Sequence, residues 1–134
     1  MIRVVLDTNV VVSALLSLHG TPAQILDLVF GEEIQVYYSD RIRIEYRDVL
    51  SRPSLKVMPE KAGRFIEILK EVGISIEPTI SEIPLPDESD RVFYDTARDS
   101  AAILITGNRR HYPTEDSIMT PRSFIELFES IITQ

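Results

Sequence analysis

The chain has 134 residues, with 21 acidic and 14 basic side chains and a formal net charge of −7. It has no cysteine and two histidines, which excludes thiolate zinc sites, disulfide scaffolds and multi-histidine zinc sites within one chain. A chain of this length buries about two thirds of its unfolded surface, so we expect a single domain over residues 1–134.

Short apolar runs alternate with segments of helical spacing along the chain. The strand-like runs are Ile2–Leu6, Ile34–Tyr38, Ile74–Ile76, Ala102–Thr106 and Ser117–Met119. The helical segments are Val10–Leu18, Pro22–Phe30, Asp40–Leu50, Glu60–Val72, Glu88–Asp99 and Pro121–Ile132. Strands that alternate with helices favour a parallel sheet covered by helices. The sequence therefore predicts an α/β fold, a three-layer α/β/α sandwich around a parallel β-sheet.

The distribution of charge and apolar residues predicts a cytoplasmic protein with no membrane partner. A charged residue comes too early for a signal peptide, and no apolar run approaches the roughly 20 residues that span a bilayer. The negative charge argues against binding nucleic acid by charge alone. A carboxylate site that holds a hard divalent cation would still present local positive charge to a phosphate.

The first strand ends in a carboxylate. Asp7 follows the apolar run Ile2–Leu6, which has no polar alternation and is typical of a strand buried on both faces of a parallel sheet. Ligands of such sheets bind at the carboxyl ends of the strands, which makes Asp7 a candidate site residue. The structural alternative is that Asp7 caps the next helix.

A second carboxylate lies on the apolar face of the third helix. Glu45 falls within the stripe expected to face the core, where a solvated glutamate is unusual. It either points inward near the helix end or forms an ion pair with Arg41 or Arg52. The stripe consists of Ile42, Tyr46 and Val49.

A third carboxylate lies at the start of the fifth helix. Asp87 is the expected N-cap, and Asp90 lies on the face that carries Phe93 and Ala97. Asp90 is either a second capping group or a site residue.

Polar residues also follow the fourth strand, Ala102–Thr106. If this strand is the parallel neighbour of the first, Thr106 and Asn108 lie on the same sheet edge as Asp7. Gly107 between them is expected to permit a tight turn. A helix-borne acid would then complete an oxygen-rich cluster of the kind that binds hard divalent cations.

Five segments in this order resemble the PIN-domain family over nearly the whole chain. They are Val5–Val10, Glu45–Pro53, Asp87–Tyr94, Leu104–Pro113 and Pro121–Leu127. The last is similar to a closing segment of the branch described as toxin components of toxin–antitoxin systems. The resemblance implies a PIN-like fold, a homodimer, a cognate antitoxin partner and an endoribonuclease of the VapC-like type that uses Mg²⁺ or Mn²⁺ to hydrolyse RNA phosphodiesters.

The resemblance also assigns roles to residues by position. It implies that Asp7, Glu45 and Asp90 are catalytic and bind metal, and that Asn9 and Thr106 support them. Asn108 stands where many PIN domains have aspartate, so it offers an amide oxygen to a metal but no charge. We therefore expect one tightly bound ion, weak activity and a preference for Mn²⁺.

Basic residues near the expected acids are candidate RNA contacts. RNA is expected to approach across Arg109, Arg110 and His111 after the fourth strand, or across Arg41, Arg43 and Arg47 of the third helix. Arg109 and Arg110 are favoured over Arg43 and Arg47, for which a solvated helix face is the simpler interpretation.

Two other functions remain open. One is a catalytically weak or inactive PIN-fold module that binds RNA or a protein partner. The other is a phosphatase of the haloacid dehalogenase type, whose Asp-x-Asp motif also ends a first strand, although Asn9 replaces the second aspartate. Because crowded carboxylates repel each other, the sequence also predicts that Asp7→Asn preserves or raises the stability of the metal-free fold.

Overall fold

The computed structural model describes residues 1–133, and its centre is a five-stranded parallel sheet in the order β3-β2-β1-β4-β5. The strands are β1 (Arg3–Leu6), β2 (Gln35–Tyr38), β3 (Ile74–Ser75), β4 (Ile103–Ile105) and β5 (Ile118–Met119). Each predicted run contains one of them. The prediction of a parallel α/β sheet is confirmed.

Six α-helices cover the sheet and complete the predicted three-layer sandwich. They are α1 (Thr8–Leu16), α2 (Thr21–Phe30), α3 (Asp40–Leu50), α4 (Pro59–Val72), α5 (Arg91–Ser100) and α6 (Pro121–Ile132). Short 3₁₀ turns occupy Pro53–Leu55, Glu88–Asp90 and Arg109–His111. In the part of the chain that the structure describes, no helix is both long and apolar enough to cross a membrane.

The central strand determines where the candidate site forms. Val4, Val5 and Leu6 of β1 are completely buried, because β2 and β4 flank the strand and helices cover it. Leu6 is in register with Ile105 of β4. The residues that follow these two strands therefore emerge side by side at the carboxyl edge of the sheet.

Several helix boundaries differ from the prediction, and those at the starts of α1 and α5 matter for the site. Helix α1 begins at Thr8 rather than Val10, since the Asp7 carboxylate accepts the Thr8 N–H and starts the helix earlier. The predicted helix Glu88–Asp99 instead consists of the 3₁₀ turn Glu88–Asp90 followed by α5.

The segment between β3 and this 3₁₀ turn has no regular secondary structure, yet α5 fixes it in place. Arg91 donates to the carbonyl oxygens of Ser81 at 3.0 Å and Ile83 at 2.8 Å. The Thr79 N–H donates to Asp99 at 2.7 Å. Charged side chains of α5 thus form the backbone hydrogen bonds that a neighbouring strand would otherwise form.

Candidate active site

Asp7 lies at the carboxyl end of β1 and is only 6% exposed. One carboxylate oxygen, Oδ1, accepts the Thr8 N–H at 2.8 Å. The other, Oδ2, accepts the Thr106 hydroxyl at 2.8 Å and the Tyr112 hydroxyl at 2.9 Å. Asp7 does cap α1, as its structural alternative supposed, but two of its three hydrogen bonds serve no capping purpose. They tie the carboxylate to β4 and to the loop that follows.

Glu45 points from α3 towards the first turn of α1. Its Oε2 accepts a hydrogen bond from the Thr8 hydroxyl. Within residues 1–133 it forms no ion pair with Arg41 or Arg52, which was the structural alternative. The neighbouring Tyr46 is buried and donates its hydroxyl to the Leu6 carbonyl, which fixes α3 against the end of β1.

Asp90 is half-buried at the start of α5 and does not cap that helix with its side chain. Asp87, the predicted N-cap, caps the preceding 3₁₀ turn rather than α5, by accepting the Ser89 N–H at 2.9 Å. Asp90 Oδ2 instead lies 3.1 Å from His111 Nδ1. Burial, and after it the charge of Asp7, raises the pKa of Asp90, while His111 acts in the opposite direction.

The charges of the three acids act on one tyrosine, Tyr112, whose hydroxyl contacts Asp7. Burial and then the negative charges of Asp7, Asp90 and Glu45 raise the pKa of Tyr112, so its hydroxyl stays protonated and donates at neutral pH. The acids come from a strand end, a helix and a 3₁₀ turn that are far apart in sequence. The fold therefore brings their charges to one place at the carboxyl edge of the sheet.

The donor set suits a hard divalent cation, although no ready-made site is present. Glu45 Oε1 and Asp90 Oδ1 accept no hydrogen bond within residues 1–133, and carboxylate oxygens are the ligands that Mg²⁺ and Mn²⁺ prefer. Across the same residues, however, no group of three His, Cys, Asp or Glu side chains is close enough to hold a metal ion. The residue types therefore fit a cation, while their spacing does not form a closed ligand set.

Asn9 and Thr106 hold the two sides of the edge together. The Asn9 side-chain oxygen accepts the Gly107 N–H at 2.9 Å, and the Thr106 hydroxyl accepts the Asn108 N–H at 2.9 Å. Gly107 was expected to permit a tight turn, but no glycine among the described residues has positive φ. A Cβ at Gly107 would lie 3.2 Å from Asn9 Oδ1, so the glycine serves close approach instead.

Asn108 does not join the carboxylates directly. Its side-chain nitrogen lies 2.9 Å from Nε2 of His111, whose other ring nitrogen faces Asp90. The amide therefore reaches the acid cluster through one intervening imidazole.

The sequence profile of the PIN domain family matches residues 3–110. The chain belongs to the PIN domain family. It is also similar to an uncharacterized protein of Methanocaldococcus jannaschii, with 35% identity over 147 aligned residues that cover 98% of this chain and 95% of the relative. PIN domains are generally nucleases that use divalent metals, so membership supports a nuclease role.

The two arginines predicted to contact RNA differ in this PIN domain. Arg109 donates to the carbonyl of Ile118 at 2.7 Å and to that of Glu115 at 3.2 Å, so its guanidinium is used to hold the loop before β5. This disfavours Arg109 as a phosphate contact. Arg110 is exposed, and it makes no ion pair within residues 1–133.

Sequence reasoning missed three residues of this site. Thr8 was not connected to Glu45, Tyr112 was not connected to Asp7, and His111 was considered only as an RNA contact. The one available signal was the position of His111 and Tyr112 just after Thr106-Gly107-Asn108, in a loop that must start at the same sheet edge.

Proposed function

We propose that this PIN domain is a divalent-metal-dependent endoribonuclease whose site residues are Asp7, Glu45 and Asp90. The observation that supports the proposal is a set of contacts at the carboxyl edge of the parallel sheet: Thr8 donates to both Asp7 and Glu45, Tyr112 donates to Asp7, and the adjacent His111 lies 3.1 Å from Asp90. The family supplies the class of reaction, which is hydrolysis of phosphodiesters in nucleic acid.

Asp7, Glu45 and Asp90 would hold Mg²⁺ or Mn²⁺, which when bound supplies Lewis-acid stabilisation of phosphoryl charge and a more acidic water. The protein positions these ligands. Two donors on Oδ2 of Asp7 fill its lone pairs, while Oδ1 accepts one N–H and keeps a lone pair free. The Thr8 hydroxyl orients Glu45 in the same way.

We infer that electrostatic repulsion between the acids opposes a closed ligand set when no cation is bound. Asp7 raises the pKa of Asp90, so the two charges oppose each other in the metal-free fold. A divalent cation between them would remove that repulsion. We infer that small movements of the side chains on binding complete the site.

Asn108 limits the charge available to a second ion. The site has three carboxylates, and an aspartate at position 108 would give a fourth. In many phosphodiester cleavages two ions about 3.5–4 Å apart stabilise both the entering and the leaving oxygen. We therefore propose weak cleavage that prefers Mn²⁺. The amide contact with His111 favours a second candidate, a PIN-fold module that binds RNA or a protein partner with little catalysis.

The toxin role is the most specific part of the proposal. The resemblance of Pro121–Leu127 to the closing segment of toxin components supports it, and with it a cognate antitoxin, a homodimer and a cytoplasmic location. A small neighbouring reading frame with a DNA-binding pattern would support the pairing, and its absence would leave the ribonuclease without a toxin role.

The experiment is cleavage of a fluorescent single-stranded RNA by purified protein with Mn²⁺, with Mg²⁺ or with EDTA. We expect slow Mn²⁺-dependent cleavage by the parent, none by Asp7→Asn, more by Asn108→Asp, and parental cleavage by the exposed-acid control Asp27→Asn. Equal cleavage by parent and Asp7→Asn would contradict the assignment. If Asn108→Asp changes neither cleavage nor metal affinity, the binding-module interpretation is preferred, and hydrolysis of a generic phosphomonoester would indicate the phosphatase.

A further inference from the structure

A pocket beside the proposed active site opens where β2 and β3 end. Its volume of about 350 Å³ is within the range of pockets that hold small ligands. Ser39, the N-cap of α3 directly after β2, lines one side of it, and the start of α5 lines another. Ser89 and Arg91 also line it, and the proposed site residue Asp90 stands between them in the sequence. We call this cavity the side pocket.

The charges around the side pocket nearly cancel. Arg91 pairs with Glu88 at 2.6 Å, and the Arg98 guanidinium lies 3.5 Å from Asp95. The two remaining charges are exposed, form no ion pair among residues 1–133 and have opposite signs. A cavity with balanced charge suits an uncharged group better than a phosphate. The charged side chains that line it are Glu77, Glu88, Asp95, Arg41 and Arg91.

A buried carboxylate with an unused oxygen forms part of the wall. The Asp95 side chain is only 2% exposed. Its Oδ2 accepts the Ser81 N–H at 3.0 Å, whereas its Oδ1 accepts no hydrogen bond from residues 1–133. The Arg98 nitrogen 3.5 Å away is too distant for a normal hydrogen bond to Oδ1. Because buried polar atoms are nearly always hydrogen-bonded, an unused acceptor in the wall of a pocket indicates that a ligand supplies the donor.

The α3 side of the side pocket offers a donor. The Ser39 side chain is 1% exposed, and its Oγ accepts the Ile42 N–H at 3.2 Å. Its hydroxyl donates to no acceptor among residues 1–133. A ligand that donates an N–H to Asp95 and accepts the Ser39 hydroxyl would therefore satisfy two buried groups.

Apolar side chains form other parts of the wall. Pro78 and Val92 are half-buried there, and Ile80 lines the side pocket although it is 81% exposed. The preceding residue, Thr79, donates its N–H to Asp99 at 2.7 Å, so Ile80 lies on an ordered backbone. An ordered side chain of this kind loses little conformational freedom when a ligand covers it. Apolar walls with a few placed polar groups are typical of pockets for uncharged organic ligands.

We propose that the side pocket binds the nucleobase next to the scissile phosphate and prefers a base with an exocyclic amino group. The choice of an RNA base rests on the proposed ribonuclease function, because the pocket adjoins Asp90. The amino group of cytosine donates to Asp95, as carboxylates accept from cytosine in other complexes, and its ring nitrogen accepts the Ser39 hydroxyl. The one donor of uracil lies between two carbonyl oxygens, which a carboxylate repels. Asp95 is therefore a specificity-determining residue with no part in the hydrolysis.

The first test is the binding of free nucleosides to the full chain in EDTA, followed by amide chemical shifts in NMR. The parent should bind cytidine at least about fivefold more tightly than uridine, because one hydrogen bond to a charged group is gained. It should also bind adenosine more tightly than purine riboside, which lacks only the amino group. The shifts should centre on Ile80, Ser89 and Val92.

Two variants separate specificity from affinity. Asp95→Asn still accepts the Ser81 N–H, but its amide can also donate, so the preference for cytidine over uridine should fall below about twofold. Ile80→Ala removes apolar contact and should weaken both nucleosides about threefold with the preference unchanged. Ile80 is exposed, so this variant remains informative if Asp95→Asn destabilises the fold. Ile132→Ala, which changes an isoleucine that is 61% exposed on α6, is the matched control and should bind as the parent does.

The second test maps the cuts in an RNA that contains every dinucleotide step, in the presence of Mn²⁺. Cuts should fall beside bases with an amino group, and Asp95→Asn should also cut beside uridine. Cleavage by the parent without any base preference would overturn the proposal.

The nucleoside test does not depend on cleavage, because it contains neither phosphate nor metal. Equal affinity of the parent for cytidine and uridine would overturn the proposal, whatever the cleavage assay gives. So would the absence of shifts around the side pocket at about 10 mM nucleoside, tenfold above a millimolar dissociation constant. Preference for cytidine in a protein that cuts no RNA would support the side pocket and contradict the ribonuclease assignment.

Discussion

The substitution Asp7→Asn should destabilise the metal-free protein, although the sequence alone predicts the opposite. Two effects compete at this position. Removing one charge relieves the repulsion that Asp7 exerts on Asp90. It also weakens three hydrogen bonds that the buried carboxylate accepts from Thr8, Thr106 and Tyr112.

The hydrogen bonds should be the larger effect. A hydrogen bond to a charged group contributes about 1.5–3 kcal/mol, and a buried donor left unpaired costs about 1–3 kcal/mol. Asparagine has one side-chain oxygen, and its amide nitrogen cannot accept, so at least one donor loses its partner. We expect the repulsion to be the smaller effect, because the three donors contact Asp7 directly, whereas Asp90 shares no hydrogen-bond donor with Asp7 among residues 1–133. We expect a net loss of about 1–3 kcal/mol, which is roughly 4–12 °C in melting temperature for a domain of this size.

Thermal melts followed by circular dichroism in EDTA measure this effect without interference from metal. Asp27→Asn, which changes an exposed acid on α2, is the matched control and should melt within about 2 °C of the parent, as surface substitutions usually do. A melting temperature of Asp7→Asn equal to or above that of the parent would refute the reasoning. It would mean that repulsion among the acids outweighs the hydrogen bonds.

Three further predictions concern acid stability, packing and RNA binding. The Arg98 guanidinium, and after it the Thr79 N–H, lowers the pKa of Asp99 from 3.8 to about 2. The contribution of Asp99 to stability is therefore complete above about pH 4 and is lost as the pH falls towards 2. In urea unfolding, the stabilities of the parent and Asp99→Asn should converge over that range, and a constant difference between them would contradict this prediction. Gly73→Ala places a Cβ 2.5 Å from the Leu69 carbonyl oxygen, so it should lower the free energy of unfolding in urea by about 1–3 kcal/mol. An unchanged free energy of unfolding would show that α4 can shift to accommodate the methyl group. Arg110→Ala should weaken RNA binding and flatten its salt dependence in fluorescence anisotropy, and an unchanged salt slope would rule out a phosphate contact at that residue.

The parts of the fold that the sequence predicts are those determined by the residue pattern within a single strand or helix. The unbroken apolar run before Asp7 predicts a strand buried on both faces, and β1 is such a strand. The position of Glu45 on the apolar stripe of α3 predicts an inward-facing acid, and its side chain does reach Thr8. In both cases the periodicity of one element determines the direction of a side chain.

The remaining features depend on contacts between elements. Nothing in the sequence pairs Tyr112 with Asp7, because the two are joined only through the register of β1 with β4 and the loop that follows β4. The structure reverses the expected sign of the Asp7→Asn effect for the same reason, since repulsion follows from composition but hydrogen-bond partners do not. Gly107 illustrates the ambiguity of a single residue type, as a tight turn and a close approach both favour glycine.

The most direct test of the proposed metal site is anomalous diffraction from crystals of this protein soaked in Mn²⁺. We predict one strong anomalous peak at the carboxyl edge of the sheet, coordinated by Asp7, Glu45 and Asp90, and no such peak in Asp7→Asn crystals prepared in the same way. A peak at another carboxylate cluster, or no peak near Asp7 under conditions that support RNA cleavage, would contradict the proposal that these three acids hold the ion.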